Sequence, residues 1–201
     1  MTLRRAAFVA AVLVTCFAVS WAIISRVRRA ARPAGVTSAA SSSQAPAPTG
    51  RKITATLYYV SEDGMTLVGV QREVPFGEPV VEQARRIIEV QLGAAPAPLA
   101  SAVPEGTTLR ALFLSDRGDA FVDVSSQATA RHSGGALDEL FTVYALVDAL
   151  TVNLPAISRV QILVDGKEVD TLAGHVDLRH PLQKNLKWVA GNETQPAERN
   201  Q

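Results

Sequence analysis

Residues 53–93, ITATLYYVSEDGMTLVGVQREVPFGEPVVEQARRIIEVQLG, change their apolar period once, and that change decides the fold class. Residues 53–60 are rich in β-branched and aromatic side chains, Ser61-Glu62-Asp63-Gly64 is a turn sequence, and residues 66–74 resume an extended pattern. Together they predict a β-hairpin. From Pro79 to Leu92 the repeat becomes helical, with Val80, Val81, Ala84, Ile87, Ile88 and Leu92 on one face and Glu82, Arg85, Arg86 and Glu89 on the opposite one. Pro79 suits the first turn of this helix and Gly93 its C-terminal cap.

Downstream the same order recurs. A loop over residues 94–107, with Pro96, Pro98 and Pro104, leads to a second hairpin, 109–114 and 120–124, about Asp116-Arg117-Gly118-Asp119. A polar stretch, 125–135, precedes a second helix over 136–153, and 160–164 is a short apolar strand closed by Asp165-Gly166. No strict β-α-β alternation is visible. The expected fold is α+β: two ββα-like units followed by a further strand, with the helices packed on one face of a sheet. The second helix is apolar over more than half of its circumference, through Leu137, Leu140, Phe141, Val143, Tyr144, Leu146, Val147, Leu150 and Leu154. A one-sided surface helix needs a narrower stripe, so this helix must be covered twice, either by residues 178–189 folding across it or by a protein interface around Phe141 and Tyr144.

The ends of the chain differ from this middle. Residues 6–24 carry no charge and lie between Arg4 and Arg5 on one side and Arg26, Arg28 and Arg29 on the other. A helix of that length reaches roughly the 30 Å of bilayer hydrocarbon. The segment reads as a retained anchor, with a cleaved secretory peptide and lipidation at Cys16 as alternatives. The arginines after it outnumber those before it, which by charge alone places the bulk of the chain in the cytoplasm. Residues 32–50 are Ala-, Ser- and Pro-rich and offer nothing to a core. The expected organisation is therefore an anchor or signal segment at 1–29, a flexible linker at 30–50, one domain at 51–190 and a disordered tail at 191–201.

Composition narrows the chemistry. The chain has 201 residues, 47% of them apolar, and 20 basic against 19 acidic side chains. A core is affordable, and the near-neutral balance argues against nucleic acid held by counterion release. One cysteine and three histidines, His132, His175 and His180, make neither a disulfide framework nor a metal site, so no metal and no small-molecule cofactor are expected. Ser125 and Ser126 near His132 lack an orienting acid and a nucleophile elbow, and Asp116, Asp119 and Asp123 divide between a turn and a strand. No phosphate-binding glycine loop occurs. No catalytic residue is predicted.

The run ITATLYYV, Leu67, Arg72-Glu73-Val74, Leu92-Gly93, Val103-Pro104-Glu105-Gly106-Thr107 and AFVDVS at 120–125 resembles the GerMN domain. Gly134-Gly135, YALVDAL at 144–150, VQILVDG at 160–166 and Pro181-Leu182 continue the resemblance over nearly the whole domain. The usual Gly-Pro after the first helix is replaced by Gly93-Ala94-Ala95-Pro96, and the lipobox before Cys16 is defective. The resemblance implies a sporulation and germination family whose members are typically lipoproteins or anchored envelope proteins without an established enzymatic activity. It also outweighs the arginine count and implies that the bulk of the chain is extracytoplasmic. The implied role is an interaction module of the envelope, held to the membrane by residues 6–24, that binds an unidentified envelope protein or itself. The rival function is a cell-wall carbohydrate binder or hydrolase using the 125–135 loop. For the interaction surface the sequence offers Glu82, Arg85, Arg86 and Glu89.

Overall fold

A hairpin, a helix, a second hairpin and a second helix follow one another in the order the sequence predicts, and the strand after them returns to the second hairpin. The computed structural model describes residues 50–191, all within one unit spanning Pro46–Gln201. Residues 6–24, Cys16 and, apart from Gly50 and Gly191, the linker and the tail lie outside the described residues. Among the described residues no helix is long and apolar enough to cross a membrane.

Strands β1 (Lys52–Val60) and β2 (Leu67–Pro75) pair antiparallel from Lys52 opposite Pro75 to Val60 opposite Leu67, forming a sheet of their own. Helix α1 (Val80–Gln91) follows, burying Gln83, Ala84, Ile87, Ile88 and Gln91. Val80, expected on its apolar face, is exposed at the helix start. The second hairpin, β3 (Leu109–Leu114) and β4 (Asp119–Val124), closes on a three-residue turn. There Ser115 N–H donates to Asp119 O at 2.9 Å and Gly118 N–H to Ser115 O at 3.0 Å. Glycine is required at 118 twice over: φ is +81°, and a Cβ would lie 2.7 Å from Ala156 O.

A short helix, α2 (Gln127–Ala130), lies inside the stretch expected to be loop, because Ala128 N–H finds Ser125 O and the turn continues from there. Helix α3 (Ala136–Asn153) then carries the chain to β5 (Arg159–Val164), which pairs parallel with β4. One β-α-β crossover is thus present where the sequence showed no strict alternation. The polar 125–135 stretch hides it by lengthening the connection. Two short strands, β6 (Lys167–Glu168) and β7 (Leu182–Gln183), complete a five-stranded sheet by pairing with opposite ends of β5.

The core is built from both sheets and the two long helices. Helix α3 packs against β1, α1, β5 and β7, which accounts for its wide apolar circumference. Phe141 is buried among them rather than offered to a partner. The two sheets stay separate because side-chain amides take the place of a further strand beside β1. Gln91 accepts Tyr58 N–H at 2.9 Å and donates to Tyr58 O at 2.7 Å. Asn153 does the same for Thr56, at 2.8 and 2.7 Å. Ala100 exchanges both backbone bonds with Val60. From Thr56 to Val60 the edge of β1 is thus occupied and cannot template another strand there.

Candidate functional site

The charged residues singled out on α1 do share one face, and they satisfy one another. Glu82 pairs with Arg86 at 2.8 Å and with Arg85 at 3.4 Å, and Arg86 also reaches Glu89 at 3.4 Å. These are i,i+3 and i,i+4 pairs at partial exposure, each contributing about 0.3–0.5 kcal/mol to the helix.

A cleft of about 660 Å³ opens elsewhere, between the proline-rich loop after α1, the segment 131–133 and the first half of α3. Its floor is apolar, from Val60, Leu92, Ala102, Val103 and Phe141, and Glu105, Arg131 and Asp138 stand at its polar wall. Part of the 125–135 loop therefore does reach a cavity. Sequence reading missed Glu105, Arg131 and Asp138 because the cleft joins segments far apart in the chain; the only signal was the length of the 94–107 loop.

His132 borders this cleft with both ring nitrogens occupied. Nδ1 accepts Gly134 N–H at 3.1 Å, which places the proton on Nε2, 3.3 Å from Thr142 Oγ1. The Thr142 hydroxyl in turn donates to Ala102 O at 2.5 Å. The chain of bonds ties three segments together and leaves His132 no free lone pair with which to accept a substrate proton. Ser125 Oγ is engaged by Thr108 N–H at 3.0 Å, and Ser133 Oγ donates to Asp138 at 2.8 Å. Asp119 and Asp123 are structural too. Asp119 receives Arg159 through two bonds, at 2.7 and 3.1 Å, and Asp123 accepts from Arg110 Nε at 3.2 Å and Gly166 N–H at 2.7 Å. Among the described residues no cluster of three or more His, Cys, Asp or Glu side chains could hold a metal ion.

Two buried carboxylates on α3 hold the segment after β6. Glu139 accepts Leu172 N–H and His175 N–H, both at 2.7 Å. Asp148 accepts Asn185 N–H at 2.9 Å through one oxygen, and its Oδ2 has no partner. Burial pushes the Asp148 carboxyl up to about 6, against the Asn185 N–H and the charge of Lys184. Burial, then the charge of Asp148, pushes the Tyr58 hydroxyl up to about 12. A carboxyl raised on folding favours the neutral form, so its contribution is greatest below its unfolded value and declines as pH rises through 6. Urea midpoints of the protein should fall between pH 4 and 7, and Asp148→Asn, which keeps the acceptor for Asn185, should flatten that fall. A variant with the same slope as the parent would show that Asp148 does not set it.

Comparison with known proteins places this geometry. A family model described as "Germane: Sporulation and spore germination" matches residues 56–170, from within β1 to just past β6. No curated protein matches the chain. Among solved structures, the tandem GerMN domains of the sporulation protein GerM from Bacillus subtilis align at 19% identity and TM-score 0.53, over 68% of this chain and 46% of that one. The chain thus spans less than half of that protein, and the likeness is one of fold. The first GerMN domain of the same protein aligns at 18% identity and TM-score 0.48, over 66% of this chain and 96% of that one. The family match covers more than half of the sequence and takes in most of the first hairpin, the second hairpin and both long helices: the chain belongs to the Germane family of sporulation and spore germination domains.

Proposed function

We propose that this chain is a non-catalytic interaction module of the cell envelope, anchored by residues 6–24 with its bulk outside the cytoplasm. One observation carries the non-catalytic reading. His132, Ser125, Asp119 and Asp123, the groups best suited to acid–base or nucleophilic work, are each committed to bonds that hold segments of the fold together. What is left open is surface for binding. The apolar anchor and the family's sporulation and germination description support an envelope setting.

The outer face of α1 offers one contact surface, with mixed charge that favours a matched partner over nonspecific adhesion to an anionic surface. The cleft beside His132 supports the rival reading, a carbohydrate binder, because Arg131 and Ser133 line it next to Glu105. The test is made in cells. A reporter fused after Gln201 should be active outside the cytoplasm and stay with the membrane fraction, and lysine-reactive crosslinking should yield a protein adduct. Reversing Arg85 and Arg86 to Glu should reduce that adduct several-fold while circular dichroism stays unchanged. A cytoplasmic reporter signal would overturn the location. An unchanged adduct would exclude the α1 face, and retention of peptidoglycan fragments lost on Arg131→Ala would favour the carbohydrate binder.

A further inference from the structure

The β3–β4 hairpin ends in an uncovered tip. Phe113, just before the turn, is 61% exposed, and Asp116 and Arg117 in the turn are exposed and form no ion pair among the described residues. The carboxylates near them are taken, Asp119 by Arg159 at 2.7 Å, and Asp123 and Asp165 by Arg110, each at 3.2 Å. The tip is held just beyond the C-terminal end of α3, where Ser158 N–H donates to Gly118 O at 2.9 Å. The cleft lies at the other end of that helix, whose first half supplies Asp138 and Phe141. The helix has 18 residues and is about 27 Å long, so the tip does not reach the cleft of its own chain. Val60 and Leu92, both half-buried, give the cleft an apolar floor, and Gly93, Ala94 and Ser101 give it a lip of small residues. The Arg131 guanidinium lies against the 104–107 turn, 3.8 Å from where a Cβ on Gly106 would stand, and neither it nor Glu105 has an oppositely charged partner among the described residues. Asp138 accepts from Ser133 Oγ at 2.8 Å in the first turn of α3, where the helix N-terminus offsets its charge.

We infer that the hairpin tip of one copy of this chain docks head to tail in the cleft of a second copy. Phe113 takes the apolar floor, and the charges match when all of them are counted. The cleft carries Arg131 against Glu105 and Asp138, and the tip carries Asp116 and Arg117. Asp116 therefore meets the single cation, and Arg117 meets the two carboxylates. These rim pairs set the orientation, while the aromatic ring supplies the burial. A volume of about 660 Å³ lies within the range of pockets that enclose a whole small molecule, and it takes one such ring. Because tip and cleft are different surfaces at opposite ends of α3, the contact is heterologous, and every pair keeps one free tip and one free cleft for further copies. One aromatic anchor lies below the size of a stable free interface, and the docking operates where copies share one membrane. It rests on the reading of the chain as an anchored interaction module, names the partner, and gives the cleft a protein occupant in place of a carbohydrate.

The test uses the full chain in membranes, with Cys16→Ser removing the native thiol. A chain carrying both Ala94→Cys, at the lip of the cleft, and Asp116→Cys, at the tip, is treated with a short bismaleimide. It should yield a ladder of dimers and larger species at least about ten-fold faster than a chain carrying either substitution alone, because like surfaces do not meet. Asp116→Cys gives up one rim pair and leaves Phe113 and Arg117 in place. Adding Phe113→Ser, at an exposed position, should abolish the ladder with circular dichroism unchanged, and adding Arg117→Glu should slow it several-fold. Equal rates for the double and single variants, or a ladder indifferent to Phe113→Ser, would overturn the docking. If lysine-reactive crosslinking still yields a heterologous adduct in that case, self-docking falls and the interaction reading stands. If neither product forms, both fall. Peptidoglycan fragments that shield the Ala94→Cys thiol while no ladder forms would overturn the docking in favour of the carbohydrate binder.

Discussion

Gln91→Ala is expected to lower the stability of the domain by about 2–5 kcal/mol, although it removes no charge and no large apolar group. Gln91 is fully buried, and its amide supplies both hydrogen bonds of the Tyr58 peptide groups, at 2.9 and 2.7 Å. Truncation leaves a donor and an acceptor unpaired where water does not reach, each at about 1–3 kcal/mol, and a cavity adds to that. The melting temperature should drop by about 10 °C or more. Gln91→Glu should not rescue it, because a carboxylate keeps the acceptor for Tyr58 N–H but sets a second oxygen against Tyr58 O. Asn153→Ala, which exposes the half-buried Thr56 in the same way, should cost less. A Gln91→Ala protein within about 1 kcal/mol of the parent in urea would show that β1 finds other partners for its edge.

The second large effect is expected at Glu139. It lies fully buried in the first turn of α3, and its two oxygens accept the N–H groups of Leu172 and His175 at 2.7 Å and approach His175 Nδ1 at 3.2 Å. Burial raises its pKa, but the backbone N–H groups of Ala173, His175, Leu172 and Val176 outweigh burial and hold it below the ordinary carboxylate value. Glu139→Ala leaves these donors without an acceptor and should cost about 3–5 kcal/mol. Because folding depresses this pKa, the stabilisation is present above about pH 4.5 and is lost as pH falls through the folded value. That is the opposite direction to Asp148. The parent should therefore lose stability on acidification below about pH 4.5, and Glu139→Ala should lose less over the same interval. Equal acid limbs in urea titrations would contradict the assignment. Proteolysis of the Glu139→Ala protein should begin in the 171–176 segment, which that carboxylate holds against α3.

The hairpin at 53–74, the helix from Pro79 and the helix over 136–153 were all legible in the chain, because periods of two and of 3.6 record which side of an element is buried. The family was legible for the same reason: its signature is the order of these elements. What the sequence left undecided was which surface covers each buried side. The broad apolar circumference of α3 was compatible with an interface at Phe141 and Tyr144, and only packing assigned it to β1, α1, β5 and β7. Gln91 and Asn153 carry no periodic signal, and their pairing with Tyr58 and Thr56 joins positions 33 and 97 residues apart. Glu139 stands in the first turn of α3, and its partners come from a loop beyond β6 that has no periodic pattern. That β3 stands at the end of its sheet depended on which strands pair with β4. Apolar period is a one-dimensional record of burial, whereas hydrogen-bond partners, clefts and sheet edges are set by which distant segments meet, and that is decided in three dimensions.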